Sequence, residues 1–305
     1  MENYFNVKKR IGILGVGAIG SVITSELMKN TSIAVSCYSR THKKSIKILS
    51  KNRKSEIPIE MHSSLSNQIE LDWLVVCLKE NHFSDAKDWF FKLITKNTKV
   101  AVIRNGLNLK EPLLKYAEEQ NIIECIIDCP TQLKSDGFYE SLNDPVIKIA
   151  KTNLSPKFKE LFNESAVNLE YVNDFKTESW KKLIESSASG AILCLTGETC
   201  WIFKEENIQT LYAKLLKECI SVARADGAEI EYSFADEMIN KILAYPDDKS
   251  SSMLADKIKG NPIELGGKNG VISQIAQQRT IKTPINDLLV TLLTPVNKYC
   301  LADSK

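Results

Sequence analysis

The sequence predicts two folds in succession: an α/β N-terminal domain on a parallel sheet, then an all-α C-terminal domain. Three observations carry this expectation. Short apolar runs at 11–14, 33–37, 73–78, 100–103 and 122–127 are each followed by turn residues or by helical periodicity, as expected of buried strands in a doubly wound sheet. A glycine-rich turn follows the first run. From residue 175 onward, apolar positions recur almost only at helical spacing. A chain of 305 residues suits two domains, and the change of character sets them at 1–172 and 173–305.

The glycine turn is RIGILGVGAIGS, residues 10–21. Gly15, Gly17 and Gly20 stand in G-x-G-x-x-G spacing between a strand and a helix at 22–28, the context that makes the motif a dinucleotide-binding expectation. The first glycine permits the tight turn, the second lets backbone approach a pyrophosphate, and the third lets the helix pack on the sheet. The helix N-terminus then faces the phosphates. The N-terminal domain is therefore expected to be Rossmann-type.

The second strand, 33–37, leads into Ser39, Arg40 and Thr41, with His42, Lys43 and Lys44 behind them. An acid usually stands about 20 residues beyond the glycine loop to bond the ribose 2′-hydroxyl. Here a hydroxyl and a guanidinium replace it, and Arg pairs well with phosphate oxygens. NADP(H) is thus expected over NAD(H), with Arg40 on the 2′-phosphate. Runs such as Lys43–Lys44 read as solvated faces.

The third strand ends in Lys79, Glu80 and Asn81. A helix is expected over 85–94 with Ser84 as its cap. The fourth strand ends in Arg104, Asn105 and Gly106. Lys79 and Asn105 both fall beyond strand carboxyl ends, where ligands of such sheets bind. The alternation of strand and helix predicts a parallel sheet with helical crossovers. Residues 131–150 lose that rhythm and read as added antiparallel strands. Helices are then expected at 177–195, 208–226, 234–244, 253–259, 262–279 and 284–299, with the active site in the cleft between the domains.

Net charge is +2, with 43% apolar and 26% charged residues, which argues against nucleic acid or a membrane surface as partner. The N-terminal stretch lacks a signal-peptide core and no run is long enough to span a membrane, so a cytoplasmic protein is expected. Eight scattered cysteines without a C-x-x-C pair read as small buried hydrophobes. Three histidines, none at ligand spacing to a cysteine, give no expected metal.

Lys182, Ser186 and Gly190 share one helix face. That spacing describes a ligand pocket beside an ammonium, and equally a solvated lysine with small residues packed on a neighbour. Ser251 and Ser252 before an apolar helix form an N-cap signature. Asp256 and Glu264 read equally as surface acids.

The chain resembles the ketopantoate reductase (2-dehydropantoate 2-reductase) family along nearly its whole length. The segments are ILGVGAIGS at 13–21, VVCLKEN at 75–81, IRNGL at 103–107, ESWKKL at 178–183, SSMLADKIKGNPIELGGKNG at 251–270 and TPIND at 283–287. The resemblance implies NADPH-dependent reduction of a 2-oxo acid to a 2-hydroxy acid, here 2-dehydropantoate to pantoate in pantothenate biosynthesis. It implies Lys182 as the catalytic lysine and Glu264 as the active-site glutamate, which also borders the cofactor. It implies Ser252 on the substrate carboxylate, Asn105 at the nicotinamide end facing cofactor and substrate, and Lys79 on the cofactor side. The family usually carries Asn four and eight residues after the lysine. Here Ser186 and Gly190 stand there, with Ser186 kept as a substrate contact and the pocket expected to widen. Arg104 is a second departure, read either as an anion contact or as a solvated side chain. A related D-2-hydroxyacid dehydrogenase acting on another 2-oxo acid, and a non-catalytic NADP-binding sensor, are the alternatives. A homodimer is a further expectation.

Overall fold

Strand β1 (Lys9–Leu14) explains the first half of the molecule. Ile11 and Ile13 point to one face of the sheet and Leu14 to the other, and all three are buried. Apolar residues buried on both faces mark a central parallel strand. The same division recurs in β6 (Trp73–Val76) and β7 (Lys99–Ile103). Trp73, Val75, Ala101 and Ile103 join one core, and Leu74, Val76, Val100 and Val102 the other.

The computed structural model describes residues 8–302, with the side chains of 299–302 excepted. The chain divides after Phe175 into two compact units. In the first, α1 (Ala18–Leu27) and α3 (Ser155–Lys159) share a core with one sheet face, while α2 (Lys87–Leu93) shares a core with the other. The remaining strands are β2 (Ile33–Tyr38), β3 (Ser45–Ser50), β4 (Arg53–Pro58), β5 (Glu60–His62), β8 (Ile122–Asp128), β9 (Thr131–Leu133), β10 (Tyr139–Ser141), β11 (Val146–Ala150) and β12 (Asn168–Val172). The main sheet has the order β12-β11-β8-β7-β6-β1-β2-β5. Its pairings are parallel except β11 on β8. Ile11 is level with Val35 on one side and Trp73 on the other.

Two crossovers differ from expectation. Between β2 and β6 the chain makes the antiparallel hairpin β3–β4 and the short β5. Its turn, Lys51-Asn52, has both residues at positive φ, the type I′ geometry that Asn tolerates. Between β7 and β8 the chain makes only single 3₁₀ turns. The stretch 131–150 divides: β11 joins the main sheet, while β9 and β10 pair antiparallel and dock on β3 to form a second sheet, β4-β3-β10-β9. Ser84 does not cap α2. It lies in a 3₁₀ turn and donates to Asp85.

The second unit consists of α4 (Phe175–Thr196, whose first residue closes the first unit), α5 (Glu206–Ala225), α6 (Phe234–Leu243), α7 (Ser252–Ile258), α8 (Val271–Gln278) and α9 (Pro284–Ala302). The expected helix 262–279 is interrupted. Glu264 takes φ +54°, Gly266–Gly270 form a π-type turn with Lys268 off helical geometry, and α8 starts only at Val271. Pro262 and the Gly266-Gly267 pair disfavour a continuous helix there. The buried Asn269 and Asn286 tie this turn to α9, Asn269 Nδ2 donating to Asn286 Oδ1 at 2.9 Å and Asn286 Nδ2 to the Asn269 carbonyl at 3.0 Å. Glu218 of α5 caps α9 by accepting from the amides of Ile285 and Asn286. The seven cysteines whose side chains are described are free, all buried but the half-buried Cys77. Burial pushes the Cys37 thiol up to about 11. Cys300 lies outside the described side chains. Among the described residues, no helix is long and apolar enough to cross a membrane.

Candidate functional site

In the first unit the glycine turn has the geometry a phosphate cradle needs. Gly15 takes φ +95° and its amide donates to the Tyr38 carbonyl at 3.0 Å. A Cβ at Gly20 would stand 1.9 Å from the Gly15 carbonyl oxygen, so only glycine lets α1 begin this close to the turn. Nothing lies within 4 Å of a Cβ at Gly17. Gly17 is also the N-cap of α1 and supplies no side chain to its first amides. The open space and the uncapped helix start leave room and donors for an anion. The residues therefore fit a dinucleotide pyrophosphate.

Arg40, Lys79 and Asn105 follow the carboxyl ends of β2, β6 and β7, and so join the glycine turn on one edge of the sheet. Arg40 is exposed, 3.4 Å from Asp85 Oδ2 and 3.3 Å from His82 Nδ1. Lys79 is half-buried at the start of a 3₁₀ turn. Asn105 is exposed, and its Oδ1 accepts from the Ile127 amide at 3.3 Å. Arg104 lies half-buried with its guanidinium 5.2 Å from the Phe83 ring centre, a cation–π contact, so it is not a solvated side chain. Lys43 is not one either. It is half-buried, its Nζ donates to the Val16 carbonyl at 3.1 Å, and it sits 5.5 Å from the Tyr139 ring centre.

In the second unit, Trp180 sets the rotation of α4. Its indole is fully buried and donates to Asp226 Oδ2 at 3.1 Å, beyond the end of α5. Arg279 and Lys176 also bond Asp226. Burial pushes that carboxyl up, but the bonds from Lys176, Trp180 and Arg279 outweigh it and hold it below its ordinary value. Residue 182 lies about 200° further round the helix. Trp180 therefore turns Lys182 to the other side of α4, where its side chain is 19% exposed. Lys181 is more exposed and pairs with Glu178 at 3.1 Å.

Lys182 has a neighbour outside the residues expected from the sequence. Glu185 Oε2 is 3.7 Å from Lys182 Nζ, and Glu185 Oε1 meets Lys241 Nζ at 2.6 Å and the Tyr245 hydroxyl at 3.1 Å. Burial pushes the Glu185 carboxyl up, while the two ammonium groups and the Tyr245 hydroxyl outweigh it and hold it below its ordinary value.

Ser186 donates back to the Leu183 carbonyl at 3.2 Å. Gly190 does not widen a pocket. A Cβ there would lie 2.9 Å from Met253 Sδ, and Met253 is fully buried. Methionine from α7 thus occupies the space an amide would need. Lys257, whose Nζ donates to the Cys194 carbonyl at 2.8 Å, holds α7 on α4 from its other end. Ser251 is the N-cap, accepting from the Leu254 amide at 3.1 Å. Ser252 is exposed and accepts from Lys268 Nζ at 2.9 Å. The interruption of the expected helix is what brings Lys268 there. Glu264 stands half-buried at the interruption, next to Ile263, whose amide donates to Asn297 Oδ1 at 3.0 Å. Asp256 is buried, against its reading as a surface acid.

Residues 11–153 match the family model described as ketopantoate reductase PanE/ApbA, and residues 174–297 match its C-terminal counterpart. The chain belongs to the ketopantoate reductase family. A 2-dehydropantoate 2-reductase of Mycobacterium tuberculosis is 26% identical over 285 residues, covering 93% of this chain and 96% of that protein. One from Caulobacter vibrioides is 26% identical over 283 residues, covering 93% and 97%. Among solved structures, the dimeric ketopantoate reductase of Staphylococcus aureus superposes with a TM-score of 0.85 at 21% identity, covering 95% of this chain and 99% of that one. A D-mandelate dehydrogenase with NADH and anilino(oxo)acetate superposes with a TM-score of 0.84 at 18% identity, covering 96% and 99%. These two share the fold of this ketopantoate reductase family member.

Proposed function

We propose that this chain reduces 2-dehydropantoate to pantoate with NADPH. The observation that carries the reading is Lys182, whose side chain is 19% exposed on the side of α4 opposite the Trp180–Asp226 bond. NADPH, when bound, supplies the hydride. Lys182 holds a proton at Nζ for the 2-oxo oxygen and stabilises the negative charge that develops there. Glu264 orients the substrate and borders the cofactor. Ser252 receives the substrate carboxylate, with the Lys268 ammonium 2.9 Å from its hydroxyl. Ser186 faces the substrate one turn beyond the lysine. Gly15, Gly17 and Gly20 form the cradle for the pyrophosphate, Arg40 takes the 2′-phosphate, and Lys79 and Asn105 flank the nicotinamide.

A second reading rests on Ser186 and Gly190. Neither offers the amide usual in the family, so the hydroxyl of 2-dehydropantoate has fewer partners, and a different 2-oxo acid becomes a candidate substrate. Oxidation of NADPH against 2-dehydropantoate, pyruvate, 2-oxoisovalerate and phenylglyoxylate separates the two. Preference for 2-dehydropantoate supports the first, and preference for another oxo acid the second. NADPH binding without turnover on any of them refutes the first and leaves a cofactor sensor or an oxo acid outside the panel. The proposal includes a homodimer, which light scattering at twice the chain mass checks.

A further inference from the structure

The ammonium of Lys43 lies at the glycine turn, although its residue belongs to the connection between β2 and β3. It bonds the carbonyl of Val16, the residue between Gly15 and Gly17, at 3.1 Å. The Tyr139 ring of β10 lies 5.5 Å away and supports it from the second sheet. A lysine ammonium has three donors, and the Val16 bond uses one. Around it, Gly17 leaves open space and the first amides of α1 have no side-chain cap. A full positive charge is thus held beside the partial positive end of a ten-residue helix. An anion between them relieves the repulsion of like charges gathered this way.

We propose that Lys43 is a ligand of the dinucleotide pyrophosphate, a contact separate from that of Arg40 with the 2′-phosphate. The inference rests on the dinucleotide reading above. The tie to Val16 sets the ammonium on the loop that takes the pyrophosphate. Arg40 sits instead just past the end of β2, among His82 and Asp85. The two positive groups thus divide the cofactor's phosphates.

The experiment is a fluorescence titration of the full chain with NADPH and with NADH. Lys43→Gln is expected to weaken both by the same factor, about tenfold for the loss of a charge-assisted bond. Arg40→Ala is expected to weaken NADPH alone. Unchanged binding of both by Lys43→Gln overturns the inference and leaves Lys43 a structural tie. Weakening of NADPH alone overturns it in favour of the 2′-phosphate. If the parent chain binds neither dinucleotide, the dinucleotide reading itself fails. A second measurement needs no variant. Acylation of the Lys43 amine, followed by peptide mass spectrometry, is expected to slow with NADH as well as NADPH, and not with adenosine 2′-monophosphate, which lacks the pyrophosphate. An acylation rate indifferent to NADH overturns the inference even if Lys43→Gln does not fold.

Discussion

Gly190→Asn restores the residue type usual in the family and is expected to damage the protein. The new Cβ alone stands 2.9 Å from Met253 Sδ and 3.4 Å from its Cγ. Met253 is fully buried near the start of α7, which Lys257 fixes on α4, so the thioether has little space to yield. Overpacking of this kind costs about 1–3 kcal/mol. A buried amide without partners adds about 1–3 kcal/mol, and the better helix propensity of Asn over Gly returns only about 0.3 kcal/mol. The expected net loss is about 2–6 kcal/mol, a drop in melting temperature of roughly 4 °C per kcal/mol for a unit of this size. Met253→Ala by itself is expected to cost about 2–5 kcal/mol by leaving a cavity. In the double variant the amide enters that cavity, so the double loses much less than the sum. Thermal unfolding of the four proteins measures the cycle. A Gly190→Asn protein that melts within about 2 °C of the parent, or losses that add within about 0.5 kcal/mol, would refute the claim that Met253 excludes the amide.

Lys182→Ala is expected to lower kcat by at least about 100-fold while the NADPH dissociation constant stays near that of the parent. Stopped-flow turnover beside equilibrium titration checks this, and near-normal turnover removes Lys182 from its role. Lys268→Ala is expected to raise KM for the 2-oxo acid about tenfold, as loss of a bond to a charged group predicts, with little change in kcat. An unchanged KM means that Lys268 does not serve the substrate carboxylate. Glu185 has its carboxyl held below the ordinary value in the folded chain. A lowered carboxylate stabilises the fold above its unfolded value, and that share is lost as pH falls through the folded value. Melting curves of the parent and Glu185→Gln should therefore differ most near pH 7, with the gap shrinking as pH falls below about 4, through the unfolded and then the folded value. A gap that stays constant down to pH 3 contradicts the ion pairing of Glu185 with Lys182 and Lys241.

Much of the fold was legible because it rests on local patterns. Strands buried on both faces show as apolar runs, and Gly15, Gly17 and Gly20 follow one of them at a spacing whose steric reason is local. The six helices of the second unit appear at their expected places, except where Pro262 and Gly266-Gly267 outweigh the apolar period. The second sheet was illegible because β3 and β4 are polar on one face and turn at Lys51-Asn52 without a glycine. Lys43 reads from the sequence as a solvated face, and Glu185 and Lys268 carry no reading there, for one reason: each acts through a partner distant in sequence or through a backbone break. Lys43 reaches Val16 over 27 residues, and Glu185 reaches Lys241 and Tyr245 on or just after α6. Gly190 had a packing partner, Met253, in a motif 63 residues away, which no helical wheel displays.

The small second sheet joins segments of the chain that are synthesised far apart. Ile48 of β3 lies level with Tyr139 of β10, and β6, β7 and β8 of the main sheet are laid down between them. Such a pairing carries the loop-closure cost of the whole intervening chain, which compact main-sheet strands must first absorb. The sheet is then the late-folding and early-opening part of its unit, and amide hydrogen exchange should find Ile48 and Tyr139 less protected than Ile13 and Val102. The reverse order would contradict this. Tyr139 is also the ring beneath Lys43. A dinucleotide held by Lys43 would then fasten the second sheet to the glycine turn, so that binding the cofactor stabilises the part of the unit expected to open first.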